Sequence, residues 1–422
     1  MIRDIFLTMG RERGYEVLPE ASLLRENQDT YFVGSAVMAN MHLFEPGYHV
    51  FPARYVTAQR IFSSKRLQEI GKYPLATSFE VMLSFFRFGD TDGREALSFT
   101  LEFLEKALHI KADRLVFLAP HEMNLRSDVL RLGIPADRVI SWDQSLQTNL
   151  GEDRPVGYYV KVFYPYRHGI IPVASIGFMK MNDKLAVDSA FFLERLSFVR
   201  ENLPSFYSSR FFYPLTYVVR SSSEFSGLSH TDKFLWANHF RSIVALLLDG
   251  AELGSKGAGH AMKKMLRQLA GTIQGKELSR ELVLQLVQSA HQCLHELGHG
   301  LSHLEGTDRL EEMVDLISTQ LNRASKQISH ECKAFRKALQ KNRSMDKTEL
   351  EKWHSERGLQ YEWMEAVARQ IGVILPLPPK VRKHKFRNAS FSFNESERIK
   401  DPILFIKESE GLRTKGAVVV NG

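Results

Sequence analysis

The chain has 422 residues, of which 44% are hydrophobic and 25% are charged. This balance is typical of globular domains and excludes a disordered or fibrous protein. Lysine and arginine outnumber aspartate and glutamate by 56 to 49, and this surplus of +7 mildly favours polyanionic partners such as nucleic acid. Two cysteines exclude a disulfide framework. We expect a cytoplasmic protein without a membrane segment, because no apolar run reaches the ~18 residues of a membrane helix and the N-terminus does not read as a signal peptide.

The first region of the chain is predicted to be an α+β domain. Five segments rich in β-branched and aromatic residues are predicted strands: Thr30–Val33, Arg114–Leu118, Gly157–Tyr164, Ile170–Met181 and Phe211–Val219. Residues Ala96–Leu108 carry apolar side chains at i, i+3 and i+4 spacing, which predicts a helix. Because strands and helices do not alternate strictly, the pattern favours an antiparallel sheet.

From about Ser229 onward the sequence is predicted to be all-helical, because no proline occurs between Pro214 and Pro376. The predicted helices are Lys233–Asp249, His260–Ile273, Ser279–Leu304, Arg309–Gln340 and Thr348–Ile371. We therefore expect a mixed domain at 1–225, a helical domain at 226–375 and a basic, mobile tail at 376–422.

Four histidines stand one helical turn apart: His291, His295, His299 and His303. The segment from His295 through Glu296 to His299 matches the H-E-x-x-H pattern, in which two imidazoles bind Zn²⁺ and the glutamate activates a water molecule. A helix face of solvated or partly buried histidines gives the same pattern, and the neighbouring glycines weaken the helix. We therefore keep Zn²⁺ binding as an alternative and favour the structural interpretation.

A basic segment, Lys263-Lys-Met-Leu-Arg267, lies on one of the predicted helices. Its cations could contact phosphates, which requires positive charge but little sequence specificity. A solvated helix face explains the residues equally well.

Taken in order, several segments resemble alanyl-tRNA synthetase, a class II aminoacyl-tRNA synthetase, over roughly residues 1–375. They are TYFVGSAVM at 30–38, QR at 59–60, SFEVML at 78–83, FGD at 88–90, GEDRPVG at 151–157, IGFM at 176–179, VDSAFFLER at 187–195, ANHFRS at 237–242 and KKMLR at 263–267. The resemblance implies a class II antiparallel sheet with flanking helices, followed by an all-helical domain that binds the tRNA acceptor stem. We expect the family's editing and C-terminal dimerising domains to be absent.

The resemblance also assigns roles to individual residues. Asp188 matches the acid that binds the amino group of alanine or a similar small amino acid, and Arg195 matches the motif 3 arginine that binds ATP. The other implied positions are Phe79, Glu80 and Ser63 for the nucleotide, Thr148, Ser175 and Gly177 for the amino acid, and Arg241, Lys263, Lys264 and Arg267 for tRNA. ATP with Mg²⁺ is the implied cofactor, tRNA or aminoacyl-tRNA is the implied partner, and a protein partner is left open.

Several positions depart from the family's motifs. The motif 2 arginine, which holds the ATP α-phosphate and the substrate carboxylate, falls on Ser63, and a serine cannot supply a cation to a phosphorus transition state. Three basic residues nearby could substitute for it: Arg60, Lys65 and Arg66. The glutamate of the signature falls on Lys161, which inverts the charge. The motif 3 glycines fall on Ala190 and Phe192, which would crowd an adenine.

Three functions are compatible with these residues. The first is a synthetase-like protein that binds an amino acid, an adenylate, ATP or aminoacyl-tRNA outside ordinary translation or with impaired aminoacylation. The second is a catalytically dead synthetase fold that acts as a scaffold or regulator. The third is an active alanine-tRNA ligase that uses substitute cations.

Overall fold

The computed structural model describes residues 1–25, 31–45, 47–49, 51–64, 67, 70, 75–141, 147–149, 156–166, 169–181, 183–273, 275–298, 307–342 and 344–377. Two predicted substitute cations, Lys65 and Arg66, and residues 378–422 of the predicted basic tail lie outside the described residues. The described part of the chain forms two compact units, one ending at Ser209 and one beginning at Arg210.

The first unit is an α+β domain, which confirms the predicted fold class. Its strands are β1 (Glu16–Val17), β2 (Ala53–Phe62), β3 (Phe79–Asp90), β4 (Val116–Ala119), β5 (Val139–Ser141), β6 (Gln147–Asn149), β7 (Val156–Tyr166), β8 (Gly169–Met181) and β9 (Lys184–Phe192). Its helices are α1 (Ile2–Glu12), α2 (Ala36–Ala39), α3 (Arg94–Leu108), α4 (Leu125–Arg131) and α5 (Leu193–Arg200).

In the described residues these strands form one sheet in the order β1-β2-β3-β9-β8-β7-β4-β5, and β6 also pairs with β7. The long strands in the middle of the sheet are antiparallel, as the sequence predicts. Two short pairs, β1 with β2 and β4 with β5, are parallel. The sheet is therefore mixed, with an antiparallel centre.

The two faces of this sheet differ in how they are covered. Aromatic rings from α1 and α3 pack on one face, where Phe6 lies 4.8 Å from Phe103 and Phe85 lies 5.0 Å from Phe99, measured between ring centroids. The segment around α2 packs on the opposite face, against side chains of β3 and β9 that include Phe86. On that opposite face, several side chains of β7, β8 and β9 are only half-buried, and this is where the candidate site lies.

Most of the predicted elements of this unit are observed. The predicted strands Arg114–Leu118, Gly157–Tyr164 and Ile170–Met181 correspond to β4, β7 and β8, and the predicted helix Ala96–Leu108 corresponds to α3. In the predicted strand Thr30–Val33, Thr30 lies outside the described residues and Phe32 forms an isolated bridge with Leu24.

The second unit is helical in its described part, with α6 (Tyr213–Ser221), α7 (His230–Leu248), α8 (Gly257–Thr272), α9 (Arg280–Glu296), α10 (Thr307–Asn342), α11 (Lys347–Ser355) and α12 (Tyr361–Gln370). The prediction of a strand at Phe211–Val219 is wrong, because this segment forms α6. Its buried side chains, Leu215 and Val219, are spaced i, i+4, and Pro214 lies in the first turn, where proline is tolerated.

Two other predicted helices end earlier than expected. The helix predicted from Ser279 ends at Glu296, just before Gly298, whose φ of +78° breaks the helix. The helix predicted over Thr348–Ile371 is divided into α11 and α12, with Gly358 at a φ of +63° between them. None of the described helices is long and apolar enough to cross a bilayer.

Candidate functional site

A row of four residues crosses the centre of the sheet on its half-open face. Strand pairing places Phe86 of β3 opposite Asp188 of β9, Asp188 opposite Gly177 of β8, and Gly177 opposite Tyr159 of β7. Because directly opposed residues of antiparallel strands point to the same face, these four residues share one surface. The row therefore brings together the predicted residues Asp188 and Gly177, and it adds Tyr159.

The carboxyl group of Asp188 is buried without a partner for one of its oxygens. The residue is 7% exposed, and its Oδ1 has no hydrogen-bond partner within the described residues. Burial raises the pKa of Asp188 to about 7, because the low-dielectric surroundings disfavour the charged form. A cationic donor placed at Oδ1 would satisfy this oxygen and restore the charged form.

Gly177 makes room for that carboxyl group. A Cβ atom at position 177 would lie 2.2 Å from Asp188 Oδ1 and 2.9 Å from Tyr159 Cε1, which is too close for any side chain. The missing side chain therefore allows Oδ1 to lie directly above the backbone of β8. Tyr159, whose ring also lies beside this position, is half-buried.

The next row on the same face is polar as well. Ser84 of β3, Ala190 of β9, Ser175 of β8 and Lys161 of β7 follow one another across the strands. Ser84 is fully buried, and its Oγ has no hydrogen-bond partner among the described residues. Ser175 and Lys161 are half-buried, so this row extends the surface beside Asp188 and contributes a cation to it.

Another predicted residue, Arg195, lies just after the end of β9, in the first turn of α5. Its side chain is 2% exposed, and its Nε lies 3.4 Å from Oε1 of Glu80, which is 1% exposed. The guanidinium carbon of Arg195 lies 4.0 Å from the ring centroid of Phe192, the residue that precedes α5. The neighbouring Glu194 accepts a 3.0 Å hydrogen bond from the backbone N–H of Val81.

The other predicted nucleotide residues lie on β2 and β3. Arg60 is bound to Glu20, whose Oε1 accepts hydrogen bonds from the Arg60 backbone N–H at 2.9 Å and from its Nε at 2.6 Å. This carboxylate neutralises one of the predicted substitute cations. Ser63 donates its backbone N–H to the carbonyl of Ser78 at 2.8 Å, and Phe79 is fully buried.

Thr148, predicted for the amino-acid pocket, lies on β6 and pairs with Gly157 of β7. Thr148 therefore lies on the strand next to β7, the strand that carries Tyr159 and Lys161.

The predicted tRNA contacts of the second unit divide into buried and exposed residues. Arg241 is fully buried, donates to the carbonyl of Phe211 at 3.3 Å and lies 3.8 Å from the ring of Phe212. This corrects its assignment as a tRNA contact, because a buried guanidinium cannot reach a phosphate. Arg267 is half-buried and donates to the carbonyl of Gly358 at 3.0 Å.

Lys263 and Lys264 of α8 are exposed, and they follow the exposed His260 by one helical turn. The helix begins after the exposed Lys256. These four residues therefore form a continuous basic stripe on one helix face.

The predicted histidine stripe is described only in part, since His299 and His303 lie outside the described residues. His295 is exposed near the end of α9, and Glu296 lies 4.0 Å from Arg210. Within the described part of the chain, no group of three or more His, Cys, Asp or Glu side chains is arranged to hold a metal ion.

Sequence reasoning missed three positions in or beside the candidate site of the first unit. Tyr159 could have been found from strand alternation, because it lies two residues before Lys161 on the same face of β7. No local sequence pattern predicts the bond between Glu20 and Arg60, because the two residues are 40 positions apart. Glu194 stands in the quoted VDSAFFLER segment, but its backbone acceptor role requires the fold.

No protein-family model matches the chain. It is 28% identical to the alanine–tRNA ligase of Tropheryma whipplei strain Twist over 298 residues, which cover 63% of this chain and 33% of that protein. It is 26% identical to the alanine–tRNA ligase of Legionella pneumophila strain Lens over 301 residues, which cover 63% of this chain and 35% of that protein.

Among solved structures, an apo S. aureus histidyl-tRNA synthetase matches with a TM-score of 0.35 and 11% identity, covering 48% of this chain and 65% of that one. The chain spans about one third of the length of the curated relatives it matches. The predicted resemblance is confirmed: over 63% of its length, this chain is homologous to alanine–tRNA ligases.

Proposed function

We propose that this protein binds the α-amino group of an amino acid or aminoacyl group, and that Asp188 is the residue that receives it. The observation that carries the proposal is the buried Oδ1 of Asp188, which lies above Gly177 without a hydrogen-bond partner among the described residues. The similarity to alanine–tRNA ligases favours alanine or a similar small amino acid as the source of the amine.

The chemistry of the site suits an ammonium group. A carboxylate and an ammonium form a charge-assisted hydrogen bond, which is stronger than a neutral one, especially where water is excluded. With the pKa of Asp188 at about 7, the carboxyl group is mostly ionised at pH 8. Binding of the amine then lowers this pKa, because the opposite charge favours the ionised form. Below pH 7, affinity falls as Asp188 becomes protonated.

The proposal is tested with L-alaninamide, which carries the amino group, and with propionamide, which lacks it. Chemical-shift titration at pH 8 should show binding of L-alaninamide to the wild-type protein and none of propionamide. Asp188→Asn should weaken L-alaninamide binding at least tenfold, since removal of one partner of a buried ion pair costs roughly 3–5 kcal/mol. Asp183→Asn, at an exposed position just before β9, is the matched control and should bind normally.

Equal binding of both amides, or unchanged affinity in Asp188→Asn, would contradict the proposal. Loss of all binding would leave the scaffold or regulator hypothesis as the better account. ATP–pyrophosphate exchange with alanine would instead support the active ligase.

A second proposal concerns the partner of the helical unit. We propose that the basic stripe formed by Lys256, His260, Lys263 and Lys264 contacts RNA phosphates. The exposure of His260, Lys263 and Lys264 on α8, and of Lys256 just before it, supports the proposal. Cations arranged in this way bind a backbone without reading its sequence.

The double variant Lys263→Ala/Lys264→Ala should weaken binding of an acceptor-stem minihelix RNA. The slope of log affinity against log salt should fall by about two, since each lost phosphate contact removes about 0.9. Lys276→Ala, an exposed lysine outside α8, is the control. An unchanged salt slope in the double variant would refute the contact.

A further inference from the structure

Arg195, the residue that the resemblance assigns to ATP, is enclosed by side chains of its own unit. Phe192 covers one face of its guanidinium at 4.0 Å, and Glu80 lies 3.4 Å from its Nε. A guanidinium binds a ligand by stacking on an aromatic base or by forming an ion pair with an acidic group. The charge and the stacking face of Arg195 are both engaged within the protein.

The surroundings of Arg195 do not fit a nucleotide. Phe192 is 8% exposed and packs with Met82, its strand partner, in the apolar cluster beneath α2, and its ring already occupies one face of the guanidinium. The buried carboxylate of Glu80 is already paired with the guanidinium of Arg195. This arrangement repels a polyphosphate, because its added negative charge would be poorly compensated in a buried site. In the described part of the chain, these residues therefore do not fit ATP.

Arg60, one of the predicted substitute cations, is already paired with Glu20 through its Nε and backbone N–H. Ser63 stands where the resemblance expects the arginine that holds the α-phosphate.

The residues around Asp188, on the same face of the sheet, differ from those around Arg195. Tyr159, Ser175, Lys161 and Ala190 are half-buried and lie on the same sheet face as Asp188. Asp188 thus has a buried carboxyl oxygen without a hydrogen-bond partner among the described residues, whereas Arg195 is already paired with Glu80.

We infer that the ligand is an aminoacyl group that arrives already joined to its carrier as an ester, thioester or amide, because the described residues around Arg195 do not fit ATP. This inference rests on the proposed amine site at Asp188. A separate, ATP-dependent aminoacylation must supply the ligand, because nothing in the described residues fits the nucleotide that would activate a free amino acid here.

The test is a calorimetric titration of the wild-type protein with Mg·ATP, L-alaninamide and L-alanine. L-Alaninamide, which mimics the carrier-linked form, should bind, Mg·ATP should give no saturable heat, and L-alanine should bind more weakly than the amide. Phe192→Gly should create measurable ATP affinity, at least tenfold above wild type, since it uncovers the guanidinium. Phe192→Leu retains a bulky side chain and should remain unable to bind ATP.

Saturable binding of Mg·ATP to the wild-type protein, or tighter binding of L-alanine than of the amide, would overturn the inference and leave the amine site standing. Failure of L-alaninamide to bind would instead refute the amine site itself, and the inference would fall with it. The wild-type titrations decide the question even if Phe192→Gly does not fold.

Discussion

Asp188→Asn is expected to remove a pH-dependent loss of stability on the order of 2–3 kcal/mol between pH 5 and pH 8. The pKa of Asp188 is raised from 3.8 to about 7 in the folded protein. Between these values the folded state keeps a proton that the unfolded state has released. The free energy of unfolding therefore falls as the pH rises through this window, and it stays low above pH 7. Asparagine does not titrate, so the variant lacks this dependence.

Urea denaturation of wild type and Asp188→Asn at pH 5 and pH 8 measures this effect. Each protein is compared with itself at the two pH values, which cancels the constant cost of burying the asparagine amide. Asp183→Asn, whose side chain is exposed, should retain the wild-type difference. An identical pH dependence in wild type and Asp188→Asn would show that this carboxyl group is not perturbed by burial.

Gly177→Ala is expected to destabilise the first unit by roughly 1–3 kcal/mol and to weaken amine binding at least tenfold. The new Cβ would lie 2.2 Å from Asp188 Oδ1 and 2.9 Å from Tyr159 Cε1, so both side chains must move. The carboxyl group would be displaced from the position at which an amine reaches it. Denaturation and L-alaninamide titration measure the two effects separately.

Gly227→Ala is the matched control, because its Cβ meets nothing within 4 Å and the backbone there does not have a positive φ. This variant should bind and unfold like the wild type. If Gly177→Ala bound L-alaninamide with unchanged affinity, the close approach of Asp188 to β8 would have no role in recognition.

The sequence predicted the fold class and the strands β4, β7 and β8, because β7 and β8 are long, rich in β-branched and aromatic residues, and bounded by turn residues. It did not predict β2, β3 and β9 as strands. It failed at Phe211–Val219, where strand-like composition concealed an i, i+4 pair of buried side chains. Composition alone does not separate a short strand from a short helix.

In the candidate site, the sequence predicted only those residues that the order of the motifs identified. The proposed role of Asp188 followed from the resemblance, whereas its burial depends on the alignment of three strands, as does the absence of a partner for Oδ1 among the described residues. The burial of Arg241 and the pairing of Arg60 with Glu20 could not be predicted, because both depend on contacts between distant segments.

The most direct measurement is a carbon-detected NMR titration of the Asp188 carboxyl group, with and without saturating L-alaninamide. We predict a pKa near 7 in the free protein, as burial requires, and a clear decrease when the amine is bound. Propionamide should leave the pKa unchanged. A titration near 4 in the free protein, or a pKa that L-alaninamide does not move, would contradict the assignment of Asp188 as the amine-binding residue.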